Sequence, residues 1–150
     1  MRTKFHSDNG ELSSGTLWSK MDIALRAIEQ TYSQIVEPTG LSVIEWHILS
    51  VLMNQDGIHA SKLANMVGRA ATSFTPNIDK LESKGLVERL SDPHDRRAVR
   101  IVLTTQGKAM EAQIHKINAT IESHMRARIT DTEAQLLQSI LERLQRPILS

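Results

Sequence analysis

The sequence predicts a mainly helical chain with one small β-hairpin, and three observations lead there. Apolar residues recur at three- and four-residue spacing along most of the 150 residues. Two short β-branched runs, Leu86 to Leu90 and Val99 to Leu103, break that period on either side of a polar turn holding Pro93. Glycine or proline stands at several of the breaks between periodic stretches, at Pro38 and Gly40, at Gly57, at Gly68 and at Gly85.

The elements follow in order. Leu17, Met21, Leu25, Ile28, Tyr32 and Ile35 mark one buried stripe of a first helix, which Pro38, Thr39 and Gly40 stop. Ser42 and Glu45 are spaced as a capping box for a second helix, which carries Ile44, Ile48, Val51 and Leu52 inward. A third, from about Ala60, buries Leu63 and Val67 and ends at Gly68, a residue suited to the left-handed cap. The fourth runs to Lys84, with Phe74, Ile78 and Leu81 on one face and Gly85 behind it. Two helices across a glycine-containing turn make a helix-turn-helix signal, and a hairpin directly behind the second is a wing. Thr104 caps a fifth helix expected to continue for about six turns through Met110, Ile114, Ile117, Ile121 and Met125. Thr130 and Glu133 form a second capping box, opening a sixth helix that buries Leu136, Leu137, Ile140, Leu141 and Leu144 until Pro147.

Composition excludes several functions. There are no cysteines, so disulfides, thiolate metal sites and thiol redox sensing are out. His6, His47, His59, His94, His115 and His124 show no metal-ligand spacing, and neither a nucleophile elbow nor a glycine-rich phosphate loop is present. No enzyme activity, metal or cofactor is therefore expected. The start of the chain lacks an apolar leader and no run reaches the ~18 apolar residues of a membrane span, so a cytoplasmic location is expected. Net charge is only +1, but from Lys62 to Arg100 eight basic residues face five acidic ones. The cationic excess lies over the helix-turn-helix and hairpin, a pattern that suits a nucleic-acid surface and equally an ordinary mixed-charge one.

The segments KLANMVG at Lys62 to Gly68, IDKLESKGLVER at Ile78 to Arg89 and DPHDRRAVRIVLTTQG at Asp92 to Gly107 resemble the MarR family of transcription regulators. That resemblance implies a winged helix-turn-helix whose N- and C-terminal helices form a homodimer, with double-stranded DNA as partner. The implied function is a sequence-specific regulator, in most cases a repressor, that binds a pseudo-palindromic operator and is released by a small amphipathic or aromatic effector. The implied organisation is a flexible arm over 1–14 and a single domain over 15–150. Within it, 42–104 form the DNA-binding lobe, and 15–37 and 105–149 the dimerisation helices. On the wing, Arg97 enters the minor groove with Asp95 holding its guanidinium, while Arg96 and Arg100 serve phosphates. A recognition helix enters the major groove by its N-terminal half, which nominates Arg69, Ala71, Thr72, Ser73 and Thr75. Helix capping is the competing role for Thr72 and Ser73.

Pro76 departs from the family pattern: either it kinks the fourth helix, or the regular helix begins near Thr75 with Pro76 at the favourable first position. The effector cleft would be lined by Arg26, Trp46 and His47. A helix as long as Thr105 to Arg128 exceeds what so small a lobe can cover, so Leu17, Met21, Ile117, Ile121, Leu137 and Leu141 are expected to meet a partner chain, an intramolecular bundle with the first helix being the alternative. The alternative function is a winged-helix protein-interaction module that never binds DNA.

Overall fold

The computed structural model describes residues 15–146, so the expected arm over 1–14 and the closure of the last helix by Pro147 lie outside the described residues. The chain divides into two compact units, one ending at Val43 and the other beginning at Ile44.

The first unit is helix α1, Leu17–Val36, followed by a 3-10 turn over Glu37–Thr39. Thr16 caps α1 by accepting the Ser19 amide at 3.1 Å. The expected buried stripe is not buried: Leu17, Met21 and Leu25 are exposed, as is Trp18 at 76%. Periodicity gave α1 an amphipathic face, and nothing in a period says that the chain itself will cover it.

The second unit holds α2 (Val43–Asn54) from its second residue on, then β1 (Ile58–His59), α3 (Ala60–Val67), α4 (Ala71–Ser83), β2 (Val87–Ser91), β3 (Val99–Leu103), α5 (Thr105–Lys108), α6 (Glu111–Arg126) and α7 (Asp131–Leu144). Gly68 takes φ 70°, which lets its amide and that of Arg69 close the end of α3 on Asn65 and Ala64 carbonyls. Ile48, Leu49 and Leu52 of α2, Leu63 of α3, Ile78 and Leu81 of α4 and Ile101 of β3 form the fully buried centre. α3 packs on α4 and on β1 and β3, while α4 packs on β2. Polar ties lock the same frame. Lys84 Nζ donates to the buried Glu45 carboxylate, and the Arg89 guanidinium on β2 donates to Asp79 and Glu82 of α4.

The sheet has three antiparallel strands in the order β1-β3-β2, not the two of the expected hairpin. β1 pairs Ile58 with Ile101 and His59 with Arg100. Two residues are too few to display a period, and their partner lies far along the chain, so no local signal announces them.

The expected six-turn helix is interrupted. α5 stops at Lys108 and α6 starts at Glu111, with the Met110 amide bonding three residues back to Gly107 rather than four. Gly107 lies one residue before the end of α5. A Cβ there would stand 2.0 Å from the Leu86 carbonyl oxygen, so α5 is pressed against the lead-in to β2 at a point only glycine can occupy. Ile117 and Ile121, expected to meet a partner chain, are 6% and 5% exposed and have little surface left to offer one. α7 opens with the predicted capping box, the Glu133 amide donating to Thr130 Oγ1 and the Thr130 amide to Glu133 Oε2. It buries none of its residues, against expectation: Leu136, Leu137, Leu141 and Leu144 are all exposed.

Candidate nucleic-acid interface

The second helix of the pair, α4, begins at Ala71, with Ala70 as an N-cap that offers no side-chain bond. A late start at Pro76 is therefore excluded, because Pro76 sits inside the helix. Its missing N–H leaves the Thr72 carbonyl without the usual donor four residues on; both residues are exposed, so water can serve it. Arg69 lies in the turn ahead of α4 rather than on it. Thr72, Ser73 and Thr75 are exposed on the first turns of α4; the side chain of Ala71 is outside the described residues. Ser73 does not cap: its hydroxyl donates to the Ala70 carbonyl at 3.0 Å, leaving its oxygen lone pairs available to a ligand.

The hairpin pairs Val87 with Leu103 through Ser91 with Val99, and the tip over 92–98 is shaped by two aspartates. Asp92 Oδ1 accepts the His94 amide at 2.8 Å, and Asp95 Oδ1 accepts the Arg97 amide at 3.0 Å. Each is an aspartate bonding the backbone two residues on, the arrangement that makes a tight turn. Asp95 thus holds the backbone of Arg97, not its guanidinium as expected. Arg96 and Arg97 are exposed at the tip, and neither guanidinium has a carboxylate partner among the described residues. Two bare cations on a short, braced hairpin can approach a polyanion without first breaking an ion pair.

Arg100, expected to serve a phosphate, is also engaged within the chain and remains partly exposed. Its Nε donates to Asp92 Oδ2 at 2.8 Å, and His59 Nε2 meets the same oxygen at 2.5 Å. The Asp92 carboxylate is buried, and the His59 contact, the His94 amide and Arg100, in that order, hold it well below the usual carboxylate range. Sequence reasoning missed this hub because its members come from three separate segments. The D-P-H-D motif was the only local sign of it.

The expected effector residues divide. Trp46 and His47 lie on α2 with ring centroids 6.0 Å apart. Burial first, and then the charge of Arg69, pushes the His47 imidazole below its usual value and favours its neutral form. Arg26 is 75% exposed on α1 and donates to Asp22 one turn earlier at 3.0 Å. Of the expected dimer residues, Leu17, Met21, Leu137 and Leu141 are exposed. Among the described residues no cluster of histidine and acidic side chains could hold a metal, and no single helix is long and apolar enough to cross a membrane.

Comparison with known proteins bears on this geometry. The model of the MarR family matches residues 41–99. A putative transcriptional regulatory protein for the hcr operon of Thauera aromatica is 29% identical over 146 residues, 94% of this chain and 88% of that one. The uncharacterized HTH-type transcriptional regulator YdgJ of Bacillus subtilis is 31% identical over 110 residues, 73% of this chain and 67% of that one. Among solved structures, the repressor CouR on a 23-mer DNA duplex superposes with a TM-score of 0.78 at 24% identity, covering 97% of this chain and 100% of that one. CouR from Rhodococcus jostii RHA1 bound to p-coumaroyl-CoA gives 0.78 at 22% identity, over 91% and 96%. At such identities these structures establish a shared winged-helix fold.

Proposed function

The chain belongs to the MarR family of DNA-binding transcription regulators, not enzymes, and on that footing we propose that it is a cytoplasmic repressor binding a pseudo-palindromic operator as a homodimer. The observation that carries the reading is the pair of unpartnered arginines, Arg96 and Arg97, at the tip of a hairpin tied through Arg89 to α4. α4 enters the major groove with Thr72, Ser73 and Thr75, and its N-terminus, which no side chain caps, favours a phosphate. Arg97 enters the adjacent minor groove. Small hydroxyls discriminate bases less sharply than a bidentate arginine, so groove shape supplies much of the specificity.

The dimer rests on the terminal helices. α1 leaves Leu17, Trp18 and Met21 exposed, and α7 leaves Leu136, Leu137, Leu141 and Leu144; a second copy would cover such faces. Release by a small amphipathic or aromatic molecule, of the class that CouR binds, completes the proposal, with Trp46 and His47 as the contacts. Such a ligand should quench the fluorescence of Trp46, and a Trp46→Phe variant should lose that quenching.

Selection of random duplexes on the purified protein tests the main reading. Two related half-sites about 10 base pairs apart should be enriched, and retention should fall steeply with salt through counterion release. A protein that retains no duplex at any salt is an interaction module instead.

A further inference from the structure

At the root of the hairpin, Gln55, Gly57, Ile58, His59, Lys62 and Arg100 line a shallow concavity of about 160 Å3. Three of the six are cationic or can become so, and they arrive from different elements: His59 ends β1, Lys62 lies on α3, and Arg100 lies on β3. Lys62 is exposed and has no carboxylate partner among the described residues. Arg100 is oriented through two of its nitrogens, Nε on Asp92 and Nη1 on the Gly57 carbonyl at 3.5 Å, and Nη2 has no acceptor among the described residues. His59 is oriented through one, Nε2 on Asp92.

We propose that this concavity seats a phosphate oxyanion, one phosphodiester of the DNA backbone, held by Lys62, Arg100 and the protonated form of His59. The inference rests on the DNA-binding reading above and adds a contact site to it. The charges facing His59 are Asp92 from the hairpin, Arg100 from β3 and Lys62 from α3. Asp92 and Arg100 cancel, so the patch carries one net positive charge when His59 is neutral and two when it is protonated. The pairing with Asp92 sharpens the effect. A neutral His59 donates its single ring proton from Nε2 to the carboxylate, which leaves Nδ1 as an acceptor that no phosphate oxygen can use. Only the imidazolium has a second N–H to turn toward an oxyanion. The seat therefore holds an oxyanion more tightly when His59 carries both ring protons. Its shallowness favours a duplex phosphate over a free one, because neighbouring contacts hold the duplex phosphate at high effective concentration.

Fluorescence anisotropy with a labelled duplex from the selection above, run across salt and from pH 5.5 to 7.5, tests the site. Lys62→Gln should make the slope of log affinity against log salt shallower by about 1. The wild type should bind several-fold more tightly at the acid end, the gain expected of one added charge at a solvent-exposed contact. His59→Asn should remove that gain while Lys62→Gln keeps it. Thermal melts confirm that both variants are folded, since both side chains lie at the surface. Titration of inorganic phosphate should shift the His59 imidazole resonance without saturating in the millimolar range; early saturation overturns a backbone phosphate as the occupant. If the wild type binds duplex but the two variants match it in salt slope and pH profile, or if His94→Asn alone removes the acid gain, the seat is refuted and DNA binding stands. If the wild type binds no duplex at all, the DNA-binding reading itself has failed, and the seat with it.

Discussion

The winged lobe and α7 are written in the same amphipathic code and end in opposite states. Ile48, Leu52, Leu63, Leu81 and Ile101 of the lobe are wholly buried, whereas α7 buries nothing and leaves Leu136 59% exposed. Both have apolar residues at helical or alternating spacing. The difference is that the lobe elements enclose one another, α3 against α4 and the sheet, while the leucines of α7 face outward. Apolar periodicity thus identifies a face that must be covered, and the covering can come from the same chain or from another.

The comparison can be tested from its most sensitive point downward. The largest effect belongs to α7: introducing Leu137→Glu with Leu141→Glu places two carboxylates where the proposed dimer is dry, at several kcal/mol each. Sedimentation should find only monomer, with the thermal signature of the lobe intact; a surviving dimer places the interface elsewhere. Next, Leu81→Ala in the lobe should cost about 2 to 5 kcal/mol in urea unfolding, while Leu136→Ala costs the isolated protomer less than about 0.5 kcal/mol. Equal costs would erase the distinction between the two regions.

Gly107→Ala should destabilise by about 1 to 3 kcal/mol, because its new methyl group meets the Leu86 carbonyl and overpacks the joint between α5 and β2. Arg97→Ala should weaken operator binding by about 1 to 3 kcal/mol in a gel-shift titration and leave stability unchanged, since its guanidinium has no carboxylate partner among the described residues. The smallest effect is on acid stability. Asp92 is held below its unfolded value, so its contribution is present above about pH 4 and is lost as pH falls toward the folded value. Asp92→Asn should flatten the acid limb of the thermal stability profile below pH 4; an unchanged limb would mean that the hub is not coupled to folding.

Much of the fold was legible because its signals are local. Thr104 accepts the Gly107 amide three residues away, Thr130 and Glu133 close their box within one turn, and Gly68 adopts the left-handed backbone that ends α3. The candidate interface was legible in part. Arg96 and Arg97 stand at the wing tip as expected, but Asp95 bonds backbone where a guanidinium was expected, and Arg100 is engaged by Asp92. A motif gives residue types in order and does not say which donor reaches which acceptor.

The amino-acid order alone determined the succession of helices and hairpin, the absence of cysteine chemistry and the place of the arginines, since each depends on neighbours a few residues apart or on composition. Only the tertiary structure decided that β1 joins the sheet, that His59, Asp92 and Arg100 share one hub, and that Ile117 is covered while Leu137 is not. Those outcomes depend on contacts between segments far apart in the chain, and a local pattern carries no record of what will fold against it.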